Sequence, residues 1–144
     1  MSVYSRYKRQ PGGFRALVSL WETTPIERRK KMMDVGMAED PAYTMEILKY
    51  MLTFEDILGL PDPELAELVA EAQPRTTAFA IAKAAPEVKE RFIRCSKPPI
   101  STEIKDFLDA EVTLREVGGA QLKLIEKARE LEGRGLIKTK RIPL

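Results

Sequence analysis

The chain has 144 residues, 24 of them basic and 22 acidic, with one cysteine, no histidine and 44% apolar side chains. That length can bury a real core in one domain or two very small ones, and the composition is globular rather than disordered. Without histidine the commonest general base, the usual partner of a Ser or Cys nucleophile and most transition-metal chemistry are excluded. A lone Cys95 provides neither an internal disulfide nor a cysteine metal cage, and it reads as an apolar filler.

The net charge of +2 supplies no strong field for nucleic acid. Basic clusters occur at Arg6-Tyr7-Lys8-Arg9, Arg28-Arg29-Lys30-Lys31 and Lys138-Thr139-Lys140-Arg141. Acidic residues interspersed between them make each a solvated tail or helix face rather than a phosphate site. No apolar run approaches the ~20 residues that cross a bilayer, and residues 1–10 lack an apolar signal region. The expected location is the cytoplasm, with no direct membrane insertion.

In chain order, residues 1–13 form a basic leader closed by Pro11-Gly12-Gly13, which releases a first helix over 14–21. Thr24-Pro25-Ile26-Glu27 reads as a capping box opening a helix that Gly36 should end. Asp40-Pro41 opens the next, with Tyr43, Ile47, Leu48 and Met51 on one face. Thr53-Phe54-Glu55-Asp56 is a further capping box for a short helix to Leu58. Asp62-Pro63-Glu64 repeats the cap-then-proline logic and starts a helix over 62–72.

The stretch 76–84 is apolar nearly all round and predicts the central, most buried helix. Pro86-Glu87 opens a helix to about Cys95, with Val88 and Phe92 inward. Ser101 is the expected cap of a short helix over 101–109. Thr113-Leu114-Arg115-Glu116 caps the longest helix, stopped at Gly133 or Gly135. No segment alternates with period 2, so no sheet is expected. Eight or nine short helices packing on their neighbours predict an all-α, armadillo-like right-handed superhelix, with a compact helical bundle as the alternative.

The run from Met45 through Met51-Leu52-Thr53-Phe54-Glu55-Asp56-Ile57 resembles the Met-Phe-x-Phe-Glu-Asp segment of the flagellar motor switch family FliG, with Leu52 where that family has phenylalanine. The resemblance continues in order over about 130 residues. Gly12-Gly13 is similar to the Gly-Gly element ahead of the C-terminal armadillo unit, and Asp40-Pro41 to the Asp-Pro that opens the next helix. Leu60 and Asp62 stand at its Leu-Asp-Asp turn. Ala80-Ile81-Ala82-Lys83-Ala84 resembles its Ala-Leu-Lys-Gly-Ala element. Val88-Lys89-Glu90-Arg91-Phe92, Val112-Thr113-Leu114-Arg115-Glu116-Val117 and Ala120-Gln121 complete the likeness.

The resemblance implies a bacterial protein with an armadillo-like unit over 14–50, a hinge over 51–54 and a six-helix C-terminal subdomain over 55–144. The hinge residues would be Met51, Leu52, Thr53 and Phe54, with Gly12 and Gly13 at the earlier joint. Met51 and Phe54 also read as ordinary core residues. Met1 stands just ahead of Gly12-Gly13, so the expectation is that the ring-binding and most of the middle domain are missing. The family's stator-facing helix falls at about 101–109, giving interaction residues Glu103, Lys105, Asp106 and Asp109; Lys83, next door to the position of a family lysine, is a further interaction residue that would partly substitute for it.

Several departures bear on that face. The family's Ser-x-Arg start is Lys97-Pro98-Pro99 here, its Asp-Asp pair is Asp106-Phe107, and the lysine of its Ala-Leu-Lys-Gly-Ala element aligns with Ala82. Thr113 stands where the family has an arginine, and two residues are deleted near Ala110. These changes predict a non-catalytic protein–protein interaction module: a scaffold or adaptor that has lost most torque-coupling charges. The first alternative is a working rotor or switch component that contacts the stator and the switch proteins. The other is weak nucleic-acid binding through the basic termini, for which only Tyr4 and Tyr7 could stack.

Protein partners are thus expected, either flagellar switch proteins or another partner, and stacked or domain-swapped homo-oligomers fit a solenoid edge. Their contacts would hold the chain at the inner membrane face. Carboxylates such as Glu55-Asp56 read as first-turn helix charges rather than metal ligands. No catalytic residue, cofactor or metal site is expected.

Overall fold

The structure, a computed structural model, describes residues 3–139, and those residues form ten α-helices and no strand. They divide into two compact units, the first running through Leu52 and the second beginning at Thr53.

The first unit contains α1 (Val3–Arg9), α2 (Gly13–Glu22), α3 (Ile26–Glu39) and α4 (Pro41–Tyr50). In α2 the spacing of Leu17, Val18 and Trp21 puts one apolar stripe inward, and all three are buried with Tyr4, Ile47 and Met51. Each such large side chain contributes ~1.5–3 kcal/mol on burial. Edge-to-face ring contacts knit this core: Tyr4 on Trp21 at 5.9 Å, and Phe14 on Tyr43 at 5.7 Å and Tyr50 at 5.3 Å.

Three expectations change in this unit. Residues 3–9 of the basic leader are helix α1, whose Tyr4 is buried and donates a hydrogen bond to the Met32 carbonyl. The helix exists because Tyr4 and Tyr7 in the basic run find a core. Gly36 does not end α3, which continues to Glu39. A Cβ there would lie 2.6 Å from Thr44 Oγ1 and 3.0 Å from the Tyr4 ring, so this glycine serves close packing. Thr24 makes no cap: its hydroxyl donates back to the Leu20 carbonyl, and Pro25 occupies the cap position without a side-chain bond.

The second unit contains α5 (Phe54–Leu58), α6 (Asp62–Glu71), α7 (Pro74–Ala80), α8 (Pro86–Arg94), α9 (Ile100–Leu108) and α10 (Leu114–Gly133). Helix α7 is the central one, packing on both α9 and α10. Its buried residues are Thr77, Ala78 and Ala80, and these small side chains let the flanking helices approach. The expected helix over 76–84 starts earlier, at Pro74, and stops at Ala80; residues 81–84 form a turn in which Ile81 stays buried.

Capping boxes form at Thr53–Asp56 and at Thr113–Glu116, each side chain accepting the other residue's backbone N–H. Gly135, at φ +76°, closes α10: its N–H donates to the Glu132 carbonyl and that of Leu136 to Leu131, a Schellman ending. Two expected caps fail. Asp62 lies inside α6 and turns its carboxylate to Arg91 and Arg94. Ser101 is buried within α9, which starts at Ile100.

The segment 136–139 is not a solvated tail. Ile137 and Thr139 are buried, Lys138 N–H donates to Glu64 at 2.8 Å and Thr139 donates its hydroxyl to Glu132 at 2.6 Å. Lys140 and Arg141 of that basic cluster lie outside the described residues. Cys95 is half-buried rather than enclosed, and burial pushes its thiol up.

Candidate interaction surfaces

Helix α9 is amphipathic because Ser101 and Ile104 turn inward while the residues between them do not. Glu103, Lys105, Asp106 and Asp109 are all exposed. The carboxylates of Glu103 and Asp106 lie three residues apart, and the solvent side of this short helix together with its C-cap Asp109 therefore carries three acids and one ammonium. None of the four forms an ion pair among the described residues.

Beside them Phe107 is 37% exposed and meets Phe79 of α7 edge-to-face at 6.4 Å. Arg75 lies over the same Phe79 ring at 5.1 Å. Lys83 is exposed in the turn after α7, and no ion pair joins it to the α9 carboxylates.

At 51–54 the chain is extended between α4 and α5, with ψ 126° at Met51 and ψ 167° at Thr53. Met51 belongs to the aromatic core of the first unit. Phe54 packs on Ala72, Ala80, Ala120 and Leu124 in the second. Adjacent ends of one short segment are thus anchored in two different cores. The Leu52 N–H donates to the buried Glu22 carboxylate, which lies 30 positions earlier in the sequence. The boundary between the units falls between Leu52 and Thr53.

Gly12 and Gly13 join α1 to α2. Gly12 has φ +71° and begins α2, a conformation costly for other residues. A Cβ on Gly13 would lie 1.7 Å from the Tyr7 carbonyl oxygen. The pair makes a tight corner.

Some organising residues were missed by sequence reasoning. Arg29, in the basic run 28–31, donates to the carbonyls of Trp21 at 2.8 Å, Glu22 at 3.2 Å and Thr24 at 3.3 Å, closing the end of α2. Burial lowers its pKa, opposed by the neighbouring Glu22 charge. Arg91 likewise reaches the carbonyls of Leu58 and Leu60 and the Asp62 carboxylate. Gln121 of α10 donates to the Ala80 carbonyl at the end of α7. Arg91 and Gln121 find partners 29 to 41 residues away and Arg29 finds them 5 to 8 residues back, and no helical spacing signals either.

Among the described residues no group of three or more His, Cys, Asp or Glu is placed to hold a metal ion. No described helix is long and apolar enough to cross a membrane.

Comparison with known proteins places these features in context. The pattern of the family described as the FliG C-terminal domain matches residues 37–138. The flagellar motor switch protein FliG of Thermotoga maritima is 32% identical over 135 residues, spanning 92% of this chain and 40% of that protein. The Bacillus subtilis protein of the same name is 28% identical over 139 residues, spanning 94% and 41%. This chain therefore spans about two fifths of the length of these curated relatives.

Among solved structures, a crystallised portion of Helicobacter pylori FliG superposes with a TM-score of 0.66 at 22% identity, over 95% of this chain and 66% of that one. Full-length FliG of Aquifex aeolicus superposes with a TM-score of 0.54 over 88% of this chain and 40% of that one. The fold is thus the all-α, armadillo-like one of those structures.

Proposed function

This chain belongs to the FliG C-terminal domain family, and from that membership we propose that it works as a flagellar rotor or switch component, docking other motor proteins on the exposed face of α9. The observation that carries this reading is the set Glu103, Lys105, Asp106 and Asp109, held on one helix surface with no intramolecular ion pair among the described residues. Charges left free by the fold are available to a partner. Exposed pairs are worth ~0–1 kcal/mol each, so such a face acts through several contacts together and steers encounter more than it tightens binding.

In this reading the work is mechanical: force passes through non-covalent contacts and no bond-breaking step is assigned. Met51, Leu52, Thr53 and Phe54 would serve as the joint between the units, with Gly12 and Gly13 as the corner ahead of α2. Lys83 would act as a separate contact. Switch and stator proteins are the proposed partners, holding the chain on the cytoplasmic side of the inner membrane.

Family membership over residues 37–138 favours this role over a scaffold that has left the rotor. The altered charges that prompted the scaffold reading leave three carboxylates in place on α9. Nucleic-acid binding loses support as well, because Lys8 is paired with Asp40 and Arg29 is spent on backbone carbonyls.

The test is site-specific crosslinking in flagellated cells from Asp106→Cys, in a Cys95→Ser background. Adducts to switch or stator proteins are expected, and they should disappear when Glu103 and Asp109 are changed to lysine. Adducts to no motor protein, in cells where the variant is incorporated and stable, would overturn the proposal.

A further inference from the structure

Phe107 is the only aromatic ring left exposed among the described residues, and the only exposed large apolar side chain on α9. Glu103, Asp106 and Phe107 fall at i, i+3 and i+4, so two carboxylates and the ring share one stripe of the helix. A single exposed apolar side chain is ordinary, but this one is backed by others. Half-buried Phe79 of α7 stands against it with the ring planes 86° apart, and Arg75 lies over Phe79 at 5.1 Å. A perpendicular neighbour cannot cover both faces of Phe107, and no cation among the described residues lies over it. A ring already held on one side loses little freedom when a partner covers the other.

We propose that Phe107 is the apolar anchor of the α9 face, the residue that tightens and selects its partner. The partner segment then carries one large apolar side chain flanked by basic ones. Its flanks follow from charge, because three acids against one ammonium on this helix and its C-cap attract cations. Its centre follows from the ring: exposed ion pairs are weak singly, whereas binding energy concentrates on aromatic side chains enclosed at the middle of a contact. The anchor rests on the docking role proposed for α9 and adds to it a contact that outlasts the steered encounter.

Salt separates the two contributions, since at about 0.5 M screening shortens to a few Å while apolar contact is not weakened. Crosslinking from position 106 in permeabilised flagellated cells, again as Asp106→Cys in the Cys95→Ser background, is the test. With Phe107 in place, adduct yield at about 0.5 M salt should stay within about threefold of the low-salt yield. Phe107→Ser should lower the yield about tenfold with helicity unchanged, and Phe107→Leu should restore most of it. Mass spectrometry should place the crosslink in a segment of a motor protein where lysine or arginine flanks a large apolar side chain. Because Phe107 packs on Phe79, the salt series, which leaves the ring untouched, decides the matter if Phe107→Ser loses helicity.

A yield that collapses in salt with Phe107 present, an unchanged yield in Phe107→Ser, or a Phe107→Leu variant as poor as Phe107→Ser would each overturn the anchor. In those three cases low-salt adducts from the Phe107 parent persist, and the docking role of α9 stands. Adducts only to an acidic segment, or only to a second copy of the chain, would also overturn it. No adducts from the Phe107 parent at any salt would overturn the docking role itself.

Discussion

The first unit is knit by aromatic rings packed edge to face, whereas the second packs mostly small and aliphatic residues, with Phe92 among them, around a central helix. The first relies on Tyr4, Phe14, Trp21, Tyr43 and Tyr50, and it buries Trp21 Nε1, Tyr43 Oη and Thr44 Oγ1 with no hydrogen-bond partner among the described residues. In the second, among the described residues, only Thr77 Oγ1 is so placed, and capping boxes open both α5 and α10. Large rings are hard to rearrange, whereas a core of Ala, Leu and Ile tolerates adjustment.

The sharpest way to break this contrast is Trp21→Ala, expected to cost about 3–5 kcal/mol in the first unit. Calorimetry should then show the transition of residues up to 52 moving down while that of the second unit stays put. A common shift of both would mean that the units unfold as one.

Gly13→Ala comes next, with a Cβ driven into the Tyr7 carbonyl. Overpacking of this kind costs about 1–3 kcal/mol, and here it falls on the α1–α2 corner. Hydrogen exchange should show α1 amides losing protection while those of α10 do not change.

Glu22→Ala leaves the buried Leu52 N–H without that acceptor, a loss of about 1–3 kcal/mol. Exchange should quicken at Leu52 before it does elsewhere, which makes this variant the direct probe of the 51–54 segment.

Thr113→Ala removes one capping box and should cost about 1 kcal/mol in the second unit alone, read from its urea midpoint. The smallest effect is in pH. Hydrogen bonds from Arg91 to Asp62 and from the Thr113 backbone to Glu116 hold both carboxyls below their ordinary values. A depressed native pKa stabilises above the unfolded value, so the contribution is present above roughly pH 4 and fades as pH falls toward the native values. Glu116→Gln should flatten that part of the urea-midpoint profile.

Local chemistry marked most of the helices. Proline at 41, 63, 74 and 86 near helix starts, Thr53 and Thr113 as caps and the apolar spacing of 114–131 are short-range signals, and each operates in the folded chain. Errors arose where a side chain took a different partner or place, near or far, from the one its local pattern suggested. Asp62 found Arg91, Ser101 was drawn inside α9, and Thr24 bonded back to Leu20. On the candidate surface, Glu103, Asp106 and Asp109 could be placed on an exposed face from helical period alone. That Phe107 beside them meets Phe79 edge-to-face depends on how α7 packs on α9.

The sequence by itself determined an all-helical chain without histidine chemistry, most of the helix starts and the family, because these depend on composition and on contacts within about four residues. Only the tertiary structure decided that 3–9 is a helix, that Gly36 is a contact rather than a stop, and that Leu52 is tied to Glu22. Those outcomes rest on partners roughly 8 to 32 residues away, and sequence spacing carries no record of which distant groups a folded core brings together.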